Sequence, residues 1–187
     1  MNFLFFEKPD NAAYLSQVYE LLKKCDKEFV PPLSHRTSTT QQNLSDFASD
    51  EQNEPTAYFQ QLCSQSIILA MEQEKVLGFM SFRNHHVCDE VEDHIPTIYV
   101  STVIVDPAHR GKGLSLGMYQ TLIGIAQERN LPISTRTWSG NDTHIDILSR
   151  LGFYELLRIR DARGAGIDTV YFRKDNNGYE KESIEKI

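Results

Sequence analysis

The sequence predicts an α/β fold, a mixed and mainly antiparallel sheet flanked by helices. Apolar residues recur at strand-like and helix-like periods in the order β-α-α-β-β-β-α-β-α-β-β. A hairpin is plain in the middle of the chain. The strands after it are separated by helices, an order that calls for parallel as well as antiparallel pairing.

Phe3, Leu4, Phe5 and Phe6 make the first strand. Asp10 is placed to cap a helix to about Lys24, with Tyr14, Val18, Leu21 and Leu22 on one face. Pro31 and Pro32 end any helix, because proline lacks the donor and disfavours helix before it. Residues 34–54 are the most polar stretch, a loop or a loosely held helix. Pro55 suits a first helical turn, and TAYFQQLCSQ reads as a second helix. The hairpin has arms at 66–72 and 75–83 around a Gln73-Glu74 turn.

A loop, NHHVCDEVEDHIP, leads to the strongest strand, 97–105. A helix over 113–130 carries Leu114, Met118, Leu122, Ile125 and Ala126 as its apolar set. Residues 133–138 form another strand. Asn141 is placed to cap a short helix to Leu151, closed by Gly152 in a left-handed conformation. Residues 153–160 and 169–173 form a closing antiparallel pair, and the polar tail from about 174 frays. With no internal repeat or low-complexity linker, residues 1–187 read as a single domain.

Net charge is −7, from 26 acidic against 19 basic side chains, which argues against nucleic acid as a partner. The acidic balance leans toward a cationic, amine-bearing molecule such as a polyamine, an amino sugar or a lysine-like amine. Cys25, Cys63 and Cys88 form no CxxC pair, which suits a reducing cytoplasm. No apolar run approaches the ~20 residues of a membrane span, and the first residues lack the marks of a secretion signal. His85, His86, Cys88 and His94 fit no closed zinc spacing, so no metal is expected.

The informative segment is VIVDPAHRGKGLS, residues 103–115. An apolar strand runs into Asp106-Pro107, and Arg110, Gly111, Lys112 and Gly113 open a long apolar helix. Glycines there permit backbone angles closed to other residues and a close ligand approach. The first helical amides have no internal partner and carry the positive end of the dipole, so a pyrophosphate fits. A Walker loop is excluded because Leu114 follows Gly113, and a dinucleotide fingerprint because Gly117 comes one residue too late.

The run VDPAHRGKGLSLGMYQTLIGIA resembles the acetyl-CoA-binding motif of the GNAT superfamily of N-acetyltransferases, written Arg/Gln-x-x-Gly-x-Gly/Ala. Arg110 and Gly113 match it, and Ser115 stands in for the small last residue. NDTHIDILSRLGF and the hairpin SIILAMEQEKVLGFMSFR resemble neighbouring blocks of the family, in the right order. The resemblance implies the acyl-CoA N-acyltransferase fold, acetyl-CoA as co-substrate, and transfer to a primary amine of a small molecule or peptide. It implies that the backbone of Val103, Ile104 and Val105 bonds the pantetheine arm. Amides of Arg110, Gly111, Lys112, Gly113, Leu114 and Ser115 would hold the pyrophosphate. Asn141 would contact the cofactor arm, with a plain helix cap as its alternative. Oligomeric state is open on the sequence, and a homodimer would be unsurprising for the family.

The family often places a glutamate on the strand before the motif and a tyrosine general acid on the later helix. The matching positions here are Tyr99 and Leu148, and Leu148 donates nothing. The base is therefore sought in the acidic loop, at Glu92 first and His94 second. Tyr99 and Ser101 alternate onto one strand face; if it lines the acceptor site they touch the acceptor or relay a proton through water, with core packing as the alternative for Tyr99. The missing acid and base keep a second possibility open, a non-catalytic acyl-CoA-binding module.

Overall fold

The computed structural model describes residues 1–42, 44 and 54–176. Among these the strands are β1 (Asn2–Phe6), β2 (Ser66–Glu72), β3 (Lys75–His86), β4 (Thr97–Val105), β5 (Ile133–Trp138), β6 (Tyr154–Ile159) and β7 (Thr169–Lys174). The α-helices are α1 (Ala12–Cys25), α2 (Thr56–Leu62), α3 (Leu114–Arg129) and α4 (Asp142–Arg150), and short 3-10 turns lie at Asp26–Glu28, Leu33–His35 and Pro107–His109. This is the order the sequence predicts. Residues 43 and 45–53 of the polar stretch, and the tail from 177, lie outside the described residues.

Local chemistry moves several boundaries. Asn11, not Asp10, caps α1, its Oδ1 accepting the amides of Ala13 and Tyr14 at 3.0 and 3.2 Å. The returning arm of the hairpin runs on to His86, because Arg83 and His86 still pair with Tyr99 and Thr97. Helix α2 stops at Leu62, so Cys63, Ser64 and Gln65 lie beyond it. On α3 it is Tyr119, rather than Ile125, that is buried with Leu114, Met118, Leu122 and Ala126. Gly117 has a packing reason. A Cβ there would sit 2.1 Å from the ring of Phe3, so β1 lies against α3 at that point.

The strands form one sheet in the order β1-β2-β3-β4-β5-β7-β6. Every neighbouring pair is antiparallel except β4 with β5, which is parallel. One face is covered by α3 and α4, around Phe82, Ile98, Met118, Leu122 and Leu148. The other carries α1 and α2, around Val18, Leu22, Tyr58, Leu62 and Phe79. No helix of the described residues is long and apolar enough to cross a membrane.

Two irregularities of β4 shape everything that follows. Phe82 faces Val100 while Ser81 faces Thr102, so Ser101 is an extra residue, a bulge. Before it, Ile98 and Val100 point into the α3/α4 core. After it, Val103 and Val105 do so, and Ile104 points to the α1/α2 side. Tyr99 and Ser101 thus share the side opposite Ile98 and Val100, and alternation breaks only after Ser101, where Thr102 meets Tyr58 on that same side. The second irregularity is that β4 and β5 pair only through Ile98–Val100 and Ile133–Thr135. Beyond those three rungs β4 stays with β3 and β5 stays with β7, so the two strands part and leave a wedge in the sheet.

Candidate active site

A cavity of about 610 Å³ occupies this wedge. At one end stands the turn from Asp106 to Gly113. Asp106 accepts the amide of Ala108 at 3.0 Å and holds the turn's start. Gly111 and Gly113 have φ of +74° and +77°, the left-handed region that glycine enters freely. A Cβ at either would meet nothing within 4 Å, so it is the backbone angle, not crowding, that calls for glycine.

Gly113 is the N-cap of the 16-residue α3 and supplies no side chain to its first amides. Those amides, at the positive end of a long helix, open beside a cavity lined by Arg110, Gly111, Gly113, Leu114 and Ser115. A pyrophosphate fits that cradle. Val103, Ile104 and Val105 line the same cavity along the strand that has lost its β5 partner, where an extended ligand arm finds an open edge. Lys112 is the exception among the predicted cofactor residues: it is exposed and is not among the residues lining the cavity.

Two further predicted residues are clarified. Asn141 lines the cavity and donates from Nδ2 to Thr137 Oγ1 at 3.0 Å, and its side chain does not cap α4. Arg110 donates from Nε to the Val105 carbonyl at 3.3 Å and pairs with Glu28 at 2.6 Å. Together with the ring pair Phe29–Trp138, centroids 5.9 Å apart, that ion pair ties the Asp26–Glu28 turn across the wedge.

The other end of the cavity is made of side chains. Tyr99 borders it, buried at 3% exposure. Its ring lies 4.7 Å from that of His86, its hydroxyl has no hydrogen-bond partner among the described residues, and burial pushes its pKa up. The Ser101 hydroxyl is engaged in fixing the bulge, bonded to Gln65 Oε1 and, at 2.9 Å, to Ser81 Oγ. Tyr58 donates to its carbonyl at 3.3 Å. Ser101 therefore lines the cavity mainly as a shaped piece of backbone.

Glu92 and His94 do not reach the cavity. Both are exposed on the loop, and neither is among its lining residues. The loop carboxylate that turns inward is Glu90, which accepts from the Tyr171 hydroxyl at 2.8 Å and is held below the usual carboxylate range by bonds from Cys88 and Tyr171, against the opposing effect of burial. Leu148 is fully buried in the core, as its apolar side chain requires. One turn earlier His144 lines the cavity, its Nε2 2.8 Å from the Tyr119 hydroxyl. Burial lowers its pKa to about 4 and keeps it neutral. No group of three or more His, Cys, Asp or Glu is arranged to hold a metal among the described residues.

Sequence reasoning missed Arg36, Arg136 and Arg163, all of which line the cavity. The readable signal was Arg136, a charge inside the strand ISTRTW; nothing near Arg36 or Arg163 sets them apart from surface arginines. Among the described residues the lining holds five arginines, the other two being Arg110 and Arg150, and one carboxylate, Glu28. The acidic balance of the whole chain, from which a cationic acceptor was expected, is thus reversed inside the cavity.

A split parallel strand pair, a bulge at the split and a phosphate-ready helix start define an acyl-CoA-dependent acyltransferase of the acyl-CoA N-acyltransferase fold. The sequence matches the acetyltransferase (GNAT) family over residues 16–153, and the chain belongs to that family. It is an acetyltransferase whose co-substrate is acetyl-CoA.

Among solved structures it is similar to yncA of Salmonella typhimurium, determined with its cofactor acetyl-CoA, at 18% identity and a TM-score of 0.64, covering 98% of this chain and 99% of that one. The smu.2055 protein of Streptococcus mutans UA159 is 14% identical with a TM-score of 0.65, covering 94% and 99%. A ribosomal-protein-alanine N-acetyltransferase of Brucella melitensis is 16% identical with a TM-score of 0.63, covering 92% and 99%. No curated protein matches in sequence.

Proposed function

We propose that residues 1–187 act as one domain that moves the acetyl group of acetyl-CoA onto a primary amine of a small molecule or peptide by direct attack. The observation that carries the proposal is the parting of β4 from β5 beside the uncapped start of α3. An extended arm laid along Val103, Ile104 and Val105 would run from the glycine turn toward Tyr99. Val105 lies six positions beyond Tyr99, a span of ~20 Å along a strand.

In this mechanism the amine nitrogen attacks the thioester carbonyl, whose oxygen is polarised by amides of the split strand. The carbon–sulfur bond breaks, the nitrogen gives up a proton and the departing sulfur takes one. Among the described lining residues no carboxylate stands at the Tyr99 end, since Glu28 is engaged with Arg110. The proton therefore leaves by water, with the unpartnered Tyr99 hydroxyl as the relay. The free cysteines Cys25, Cys63 and Cys88 support a place in the cytoplasm.

A thermal melt with and without acetyl-CoA tests the cofactor half of the proposal. Ligand at about a hundred times its dissociation constant stabilises a fold by ~2.7 kcal/mol. For a domain of this size that is a rise in Tm of roughly 5–10 °C. The rise is expected in the wild type and lost in a folded Gly113→Glu variant. Free thiol released on adding an amine tests the transfer. No rise at any concentration overturns the proposal.

A further inference from the structure

Building on the proposed transfer, we infer that the acceptor amine carries an oxyanion, a carboxylate or a phosphate, which Arg36, Arg136 and Arg163 hold at the Tyr99 end of the cavity.

The three guanidinium groups arrive from separate places: Arg36 after the Leu33–His35 turn, Arg136 on β5, and Arg163 in the connection between β6 and β7. Each is anchored by part of its fork. Arg36 donates to the carbonyls of Val30 and Pro31, at 3.2 and 2.8 Å from Nη2. Arg163 donates from Nε to Thr169 Oγ1 at 3.0 Å and from Nη1 to the same Val30 carbonyl. Arg136 donates to the Tyr171 hydroxyl at 3.2 Å and to the carbonyl of Gln41. Nη1 of Arg36, Nη2 of Arg163 and Nε of Arg136 are left with no bond among the described residues, so donors remain for a ligand.

What the three lack is a carboxylate in direct contact; the nearest to Arg136, Glu90, reaches it only through the Tyr171 hydroxyl. Elsewhere Arg110, Arg129, Arg158 and Arg173 each pair with a carboxylate. Arg36, Arg136 and Arg163 pair with none among the described residues, although Arg36 and Arg163 are only 8% and 6% exposed. Gathering three like charges out of water with no counter-ion in contact is costly, and a ligand that supplies the missing charge offsets that cost. Burial, with Arg36 and Arg136 close by, pulls the Arg163 pKa down to about 9. At Arg136 burial is outweighed by Tyr99, Tyr171 and Glu90, which hold its pKa up, so Arg163 is the member of the cluster that an anion would relieve most.

The cofactor's own phosphates are poorly placed to be that anion. They belong at the glycine turn, at the far end of the strand from Tyr99. Arginine forks match carboxylate and phosphate oxygens two at a time, which would also turn the amine toward the thioester.

The test is a rate comparison on the full chain with saturating acetyl-CoA. Its substrates are amino acids, phosphoethanolamine, the corresponding amino-acid amides, and spermidine. An oxyanion-bearing amine is expected to exceed its neutral counterpart by at least about 30-fold in kcat/KM, the scale of a buried charge pair left without its partner. Amino acids ahead of phosphoethanolamine identify a carboxylate, and the reverse order a phosphate. Arg136→Gln and Arg163→Gln should erase that preference while the melt shift with acetyl-CoA stays.

A measurement on the wild type guards against variants that fail to fold. An unreactive carboxylate without the amine should inhibit competitively against the acceptor, and its amide should not. Preference for spermidine or the amides, or arginine variants that lose acetyl-CoA instead of acceptor discrimination, would overturn the inference. Loss of the acetyl-CoA shift in the wild type would overturn the transfer mechanism itself, so the two failures are distinct.

Discussion

The two ends of the cavity are built on opposite principles. The cofactor end is main chain: two left-handed glycines, an uncapped helix start and a strand edge without a partner, all from one contiguous segment. The acceptor end is side chain: Tyr99 and three arginines drawn from four distant segments. Backbone groups serve any sequence that adopts the turn, so the cofactor end suits a co-substrate common to a family. Side chains change one at a time, so the acceptor end is where this chain is particular.

The sharpest test of that contrast is Tyr99→Phe. Removing the relay hydroxyl should lower kcat by about 100-fold, the lower range of a lost proton-transfer group. The melt shift with acetyl-CoA should not move, because the phenol contributes nothing to the cofactor end. A loss of acetyl-CoA binding in parallel would erase the division between the ends. Smaller effects are expected from the charges at the cofactor end, where the amides do most of the holding. Arg110→Ala should weaken acetyl-CoA binding by about fivefold, since an exposed charge contributes up to ~1 kcal/mol. Glu28→Gln should tighten it about twofold, because Glu28 competes with the phosphates for Arg110 in a pair 2.6 Å long. Equilibrium binding of acetyl-CoA to both variants checks this; weakening in both would mean the ion pair supports the turn instead of competing with the ligand.

The same division explains what the sequence made legible. The glycine turn, the strand before it and the helix after it are local features, so the expectation of a phosphate cradle could be drawn from one contiguous segment, with the family resemblance choosing the ligand. The bulge is visible only against the register of β3, so alternation placed Ser101 beside Tyr99 but gave no sign that Thr102 would follow it onto the same side. Arg36 and Arg163 share one carbonyl, that of Val30, although their positions in the chain say nothing of each other. Glu92 failed as a base for the converse reason. Nearness in sequence to β4 did not bring it to the cavity, because the loop turns Glu90 inward and leaves Glu92 in solvent.

His144 also lines the cavity, and its predicted effect is on stability and not on binding. Its pKa falls from 6.5 to about 4 on folding because the ring is withdrawn from water. A lowered histidine pKa means that between about 4 and 6.5 the unfolded chain binds a proton that the folded chain refuses. Stability contributed here is complete above 6.5 and is lost as pH falls through that window. Urea unfolding at pH 7.5 and 5.5 should show the wild type losing up to about 1 kcal/mol that His144→Gln does not lose. Equal losses would mean that the ring is solvated through the cavity. The neutral ring also bears on catalysis. With His144 unprotonated near pH 7 and Leu148 inert, no acid of the described lining titrates there. The rise of kcat/KM with pH should therefore follow the pKa of whichever amine is supplied. An inflection near pH 6–7 that stays fixed when the amine is changed would point to an enzyme base, which the chemistry at the Tyr99 end does not provide.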